Sequence, residues 1–220
     1  MLNILFPRVC NGCGDSLLKS EPIICAQCRH NLPLACHHRT KSDAMKRIFY
    51  GRFPLEQATA LLQFQKKGIT QQLLHNLKYR GQKKVSSFFG EWLGGELALL
   101  PEYQTIDAVI PVPLHKQKLR KRGFNQVHGF ASEIARSLDV QLLDDVLLKI
   151  SKTSSQVFKK RFTRFNQEEV FSVRSPEKID GMHILLVDDI VTTGATLERC
   201  AEQLLRSERV TLSVATIAIA

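Results

Sequence analysis

The sequence predicts an α/β fold, a largely parallel sheet flanked by helices, behind a small N-terminal module rich in cysteine. Three observations point there. Apolar runs of strand length alternate with segments whose apolar residues recur every three or four positions, the pattern of parallel strands joined by crossover helices. Four of the six cysteines fall within nineteen positions near the start. The 220 residues are 44% hydrophobic and 24% charged, ordinary for a globular chain, which excludes fibrous, collagen-like and low-complexity classes.

The N-terminal module spans residues 1–40. Cys10 and Cys13 form one Cys-x2-Cys pair, and Cys25 and Cys28 form a second, eleven residues further on. Each pair sits on a tight turn that aims two sulfurs at one point, which is the pattern of a structural zinc site. Four thiolates complete the coordination of Zn2+ and leave no open position for catalysis. Gly12 and Gly14 suit turns whose N–H groups face the sulfurs. Two redox pairs or free thiols would share the spacing. Cys36, His30, His37 and His38 follow; one of them could replace a ligand, and otherwise they are expected to be solvated. So small a module, poor in core residues, is expected to need its metal to fold.

Residues 41–57 read as a connecting segment, and 58–220 as the α/β domain. Ala58 to Phe64 is a strand, and Lys66-Lys67-Gly68 its turn. A helix follows with Ile69, Leu73, Leu74 and Leu77 on one side. The next places Val85, Phe88, Phe89, Trp92, Leu93 and Leu97 inward. Ile106 to Val112 is an apolar strand ending in Pro111-Val112-Pro113, followed by a basic loop. Val127, Phe130, Ala131, Ile134, Ala135 and Leu138 mark a further helix. Val146 to Ile150 is a strand; a polar, basic stretch from Ser151 to Gln167 separates it from the strand Val170 to Val173. The strand His183 to Val187 is closed by Asp188-Asp189. Leu197, Cys200, Ala201, Leu204 and Leu205 line the inner face of the helix after it, so Cys200 is expected to be an inert core thiol. A last strand runs from Val210 to about Ala218.

The stretch from Ile184 to Leu197 carries the chemistry. Two adjacent carboxylates stand at a strand's carboxyl end, where open α/β sheets bind ligands. A small, hydroxyl-rich turn then opens a helix. The N–H groups of Thr192, Thr193, Gly194, Ala195 and Thr196 can wrap a phosphate at the helix N-terminus. Asp188 and Asp189 can accept hydrogen bonds from vicinal ribose hydroxyls, directly or through a cation. Neither a Walker A loop nor a Gly-x-Gly-x-x-Gly fingerprint is present. Each part suits a phosphorylated sugar, and the segment resembles the phosphoribosyl pyrophosphate (PRPP) motif of type I phosphoribosyltransferases.

Further stretches narrow the resemblance. Asp107 to His115, Leu119 to Gln126, Lys78-Tyr79-Arg80-Gly81, and Thr153-x-x-Gln156 with Arg161 and Asn166 are similar to the ComF family. With the four-cysteine array the likeness covers almost the whole chain. The resemblance implies a type I phosphoribosyltransferase-like sheet with a zinc-ribbon-like module, and PRPP binding with Mg2+. Several members are associated with competence, the uptake of DNA in natural transformation, so other competence proteins are implied as partners. It also implies a pyrophosphate-contacting loop after Val112, with Arg120 and Arg122 as candidates, and a mobile loop at about 151–167, with Lys159 and Arg161.

The formal charge is +10, and 17 of the 31 basic residues lie in three acid-free windows, 57–90, 111–132 and 149–167. So many exceed the needs of one small ligand and call for a polyanion. Lys78, Arg80, Lys83, Lys84, Lys116, Lys118, Lys121, Lys160 and Arg164 are the candidates for contact with single-stranded DNA. Tyr79, Phe158, Phe162 and Phe165 lie among them, as in proteins that hold single strands by charge and stacking. Phe124 is expected in the core. No apolar run reaches the length of a membrane span, and the start lacks a signal-peptide pattern, so a cytoplasmic protein is expected.

Three roles stay open at this level. One is a PRPP-binding protein of DNA uptake. Another is an active phosphoribosyltransferase with an unidentified acceptor, for which no acceptor pocket is legible and no catalytic residue stands out. The last is a zinc-ribbon regulator that senses a sugar phosphate.

Overall fold

The computed structural model describes residues 8–79, 82–150 and 170–220. Three short helices occupy the N-terminal part, α1 (Ala26–His30), α2 (His37–Thr40) and α3 (Ala44–Arg47). There follow β1 (Ala58–Gln63), α4 (Ile69–Tyr79), α5 (Lys83–Leu97), β2 (Ala108–Pro111), α6 (Lys116–Arg122), α7 (His128–Leu138) and β3 (Gln141–Leu142). The chain continues with β4 (Leu147–Ile150), β5 (Val170–Val173), β6 (His183–Val191), α8 (Ala195–Leu204) and β7 (Thr211–Ile219).

Five strands form one parallel sheet in the order β1-β7-β6-β2-β3, and β4 and β5 form a separate antiparallel pair. The central strands β6 and β7 are apolar because both of their faces are covered. Leu185, Val187, Ala215 and Ile217 pack with the inward leucines and phenylalanines of α4, α5 and α7. Ile184, Leu186, Leu212 and Val214 pack with α8 and with Met45 and Phe49 of the connecting segment. Among the described residues, no helix is long and apolar enough to cross a membrane.

Three expectations need correction. The basic loop after Pro113 contains α6, because His115 accepts from the Gln117 N–H at 3.2 Å and Gly123, at φ 76°, closes the other end. The strand expected to end at Val187 continues to Val191, paired with β7 throughout, so the acidic pair lies inside β6. Cys36, His37 and His38 are buried instead of solvated. Their segment seals the outer edge of β1: Leu34 bridges Leu62, the Ala35 N–H donates to Leu61, and the Ala60 N–H donates to His37 Nδ1. An exposed edge strand needs such cover, and no periodicity announces it. The two-residue strand β3 was also absent from the sequence reading.

The cysteine module is not packed in isolation. Cys10, Ile23, Ile24, Cys28 and Leu32 belong to the same apolar cluster as Leu73 and Leu77 of α4.

Candidate functional site

The acidic pair sits where β6 approaches its carboxyl end. Alternation along a strand sends neighbouring side chains to opposite faces. Leu185 and Val187 face α4, so Asp189 shares their side, and Lys78 of α4 meets its carboxylate there at 2.9 Å. Asp188 turns to the other side and accepts the Asp189 N–H at 2.8 Å. Burial and the adjacent Asp189 carboxylate hold Asp188 well above the usual carboxylate range, against the opposing pull of that N–H, Lys78 and Lys149. Asp188 therefore tends to keep its proton, and a cation or a set of hydroxyl donors would favour its release.

Beyond Val191 the chain turns through Thr192 and Thr193, both exposed, into α8. The first turn of a helix leaves N–H groups without intrahelical partners, and the dipole adds positive potential. Gly194 has φ +78°, and a Cβ there would come within 2.8 Å of Phe49 Cε1 and 2.9 Å of Ile48 Cγ2. The glycine is thus required by backbone conformation and by the residues behind the turn, in addition to any close approach of a ligand. Arg52 braces the same turn, donating from Nη1 to the Thr193 carbonyl at 2.6 Å and reaching Glu198 at 3.2 Å. Both braces come from the connecting segment.

The four sulfurs of Cys10, Cys13, Cys25 and Cys28 all lie within 4.8 Å of one another, and Cys13 and Cys25 are 3.8 Å apart. Four ligands at ~2.3 Å from one tetrahedral ion stand about 3.8 Å apart, so the set fits zinc. Gly12 and Cys25 donate their N–H groups to Cys10 Sγ at 3.3 and 3.2 Å. Burial raises the Cys10 thiol, yet the N–H groups of Cys13, Cys25 and Gly12 bring it down to about 7. Burial and the crowding of other sulfurs push Cys28 well up. A divalent cation at the centre is what would let all four ionise together.

The description "Phosphoribosyl transferase domain" matches residues 128–220. DNA utilization protein YhgH of Escherichia coli is 31% identical over 146 residues, 64% of this chain; the match covers 63% of that protein's length. Competence protein ComFC of Bacillus subtilis is 27% identical over 200 residues, 90% of this chain and 78% of that one. Competence protein F of Haemophilus influenzae is 26% identical over 215 residues, 92% of this chain and 86% of that one. The chain is thus similar to these two competence proteins over nine tenths of its length.

In this chain the expected residues are distributed unevenly. Asp188, Asp189 and Thr192 to Thr196 lie together where β6 ends and α8 begins. Lys78, counted among the candidates for DNA contact, is engaged with Asp189. Arg120 and Lys118 are exposed on α6, whereas Arg122 is half-buried and donates to Gln126 Oε1 at 2.7 Å. Lys83 is exposed with its ammonium 5.0 Å from the ring centre of Phe124, which is only half-buried. Lys84 is exposed. Arg80, Lys159, Lys160, Arg161 and Arg164, and the side chains of Lys116 and Lys121, lie outside the described residues.

Two features escaped the sequence reading. Arg52 stands 141 positions from the carbonyl it holds, in a segment without periodicity, and no local signal marks it. A cleft of about 660 Å3 opens between Pro113, α6, the start of α5 and β4, with Leu114, Leu119, Phe124, Leu148 and Ile150 as apolar walls. Register places Pro113 beside the acidic pair, since Pro111 pairs with Val187. Lys149 lines the cleft and also acts on Asp188.

Cys36, His38 and Glu96 form a second cluster of donor groups. His38 bridges Thr59 at 2.7 Å and Glu96 at 2.6 Å, while Trp92 and Arg39 donate to the other Glu96 oxygen. Glu96 thereby accepts three hydrogen bonds, and the cluster is a packed network that ties α2 to α5.

Proposed function

We propose that this chain binds PRPP on the turn that follows the acidic pair and takes part in DNA uptake, where it contacts single-stranded DNA in the cytoplasm. The observation that carries the sugar-phosphate half is the meeting of two half-buried carboxylates with an exposed, braced, hydroxyl-bearing turn at the start of α8. The N–H groups of that turn and the Thr192 and Thr193 hydroxyls would take the 5′-phosphate, and Asp188 and Asp189 the ribose hydroxyls. Hard carboxylate oxygens suit Mg2+, which would neutralise the pyrophosphate when bound there. Arg120 is an exposed cation of the segment after Val112, and Arg122, Lys159 and Arg161 complete the pyrophosphate candidates. Support for the DNA half comes from the names of the relatives, which speak of DNA utilization and competence, and from the net charge of +10. Zinc at the four cysteines would be structural.

Titration calorimetry with PRPP and Mg2+ tests the site: Asp188→Ala with Asp189→Ala should abolish binding while the protein stays folded, and unchanged affinity would refute the assignment.

The apolar cleft beside Pro113 favours one further reading, turnover. A flat acceptor seated there would approach C1 of a ribose held at Asp188-Asp189. As the C1–O bond to pyrophosphate breaks, positive charge grows on the sugar and negative charge on the leaving group, which cations of the α6 segment would stabilise. Labelled PRPP incubated with candidate bases, ammonia or DNA decides between the readings, because steady pyrophosphate release appears only with turnover.

A further inference from the structure

A second cleft, of about 1220 Å3, lies between the cysteine module and α4, and none of the residues from Asp188 to Thr196 lines it. Its volume exceeds the ~300–1,000 Å3 usual for a site that encloses one small ligand. Although 21 of the chain's 220 residues are acidic, none of the 22 lining residues is. Arg8, Lys67 and Lys84 contribute the charge, and seven asparagine and glutamine side chains contribute amides. Lys67 and Lys84 are exposed, and neither forms an ion pair among the described residues. The side chains of Gln27, Asn31 and Gln82 likewise make no hydrogen bond among the described residues.

We propose that this cleft seats a single strand of nucleic acid, with phosphates on Lys67, Lys84 and Arg8 and base edges on the amides. Amide groups both donate and accept, as base edges do. Among the described residues no phenylalanine, tyrosine or tryptophan lines the cleft, so bases are held there by their edges. One wall is the module itself: Asn76 of α4 donates to the Asn11 carbonyl at 2.9 Å, and a Cβ on Gly12 would stand 3.1 Å from Ile69. Metal ligation at the four cysteines therefore shapes the groove. The inference rests on the nucleic-acid half of the reading above and is independent of its PRPP half.

The test measures fluorescence anisotropy of a labelled oligo-dT of about twelve nucleotides on the zinc-loaded full chain, across a salt series. Lys67→Glu with Lys84→Glu should weaken binding roughly tenfold or more and flatten the log–log salt slope by about 1.4, two phosphate contacts of ~0.7 each. PRPP affinity should stay the same. Asn31→Ala with Gln82→Ala should weaken binding with the salt slope unchanged. If the wild type binds DNA and the charge reversals do not reduce it, the strand lies elsewhere and only the cleft assignment is overturned. If the wild type binds no single strand at low salt, the nucleic-acid reading falls with it. Competition by poly-glutamate as strong as by oligo-dT would overturn the assignment in favour of an acidic protein partner.

Discussion

Lys78→Met isolates the ion pair that the structure places at the acidic pair. Lys78 Nζ lies 2.9 Å from Asp189, with the two side chains 25% and 13% exposed. Exposed pairs contribute ~0–1 kcal/mol, and removing one partner of a fully buried pair costs ~3–5 kcal/mol. Partial burial places this pair between those limits, so the substitution should cost about 1–3 kcal/mol at pH 7.5, a few degrees or more in Tm for a chain of this size. Lys78 is also among the charges that draw Asp188 down, so its removal should move Asp188 further up. Urea denaturation of both proteins at pH 7.5 reads the difference, with Lys78→Arg as the variant that retains charge. An equal loss in Lys78→Arg would show that only the packing of the lysine stem matters, and no loss in Lys78→Met would refute the ion pair.

Other consequences can be checked separately. Asp188 is held above its unfolded value, so its charged form opposes folding: the protonated carboxyl favours the fold fully at low pH, and this advantage is lost as pH rises from the ordinary carboxylate range towards the raised value. Asp188→Asn should therefore raise Tm at pH 8 more than at pH 4, and an equal change at both would contradict the burial assignment. Gly194→Ala must accept φ +78° and contacts of 2.8 and 2.9 Å with Phe49 and Ile48; it should cost roughly 2–4 kcal/mol in denaturant unfolding, and a neutral result would mean the turn is not braced from behind. Cys10→Ser should lower bound zinc below one per chain and melt the module first, so stoichiometric metal measured by atomic absorption would argue against four-thiolate ligation.

What a strand or helix buries was written in the chain order of apolar residues. The runs at His183 to Val187 and Val210 to Ala218 had to be two-faced strands, and the threes and fours of α4, α5, α7 and α8 had to be helix stripes, because burial on one or two faces imposes those periods. The cysteine spacing likewise aimed four sulfurs at one point before any coordinates, since a Cys-x2-Cys turn is a local structure. The α6 helix was missed because its seven residues are almost all basic and carry no stripe; only its caps, His115 and Gly123, give it away.

By itself, then, the sequence determined the α/β alternation, the acidic pair with its following turn, and the metal-binding spacing, all of which depend on neighbours a few positions apart. Tertiary structure alone decided that Asp189 meets Lys78, that Arg52 and Phe49 stand behind the turn, that Cys36, His37 and His38 close the edge of β1, and that two clefts open on different sides of α5. Each of these joins residues far apart in the chain, and the distance between such residues is fixed only when the sheet and its covering helices have packed.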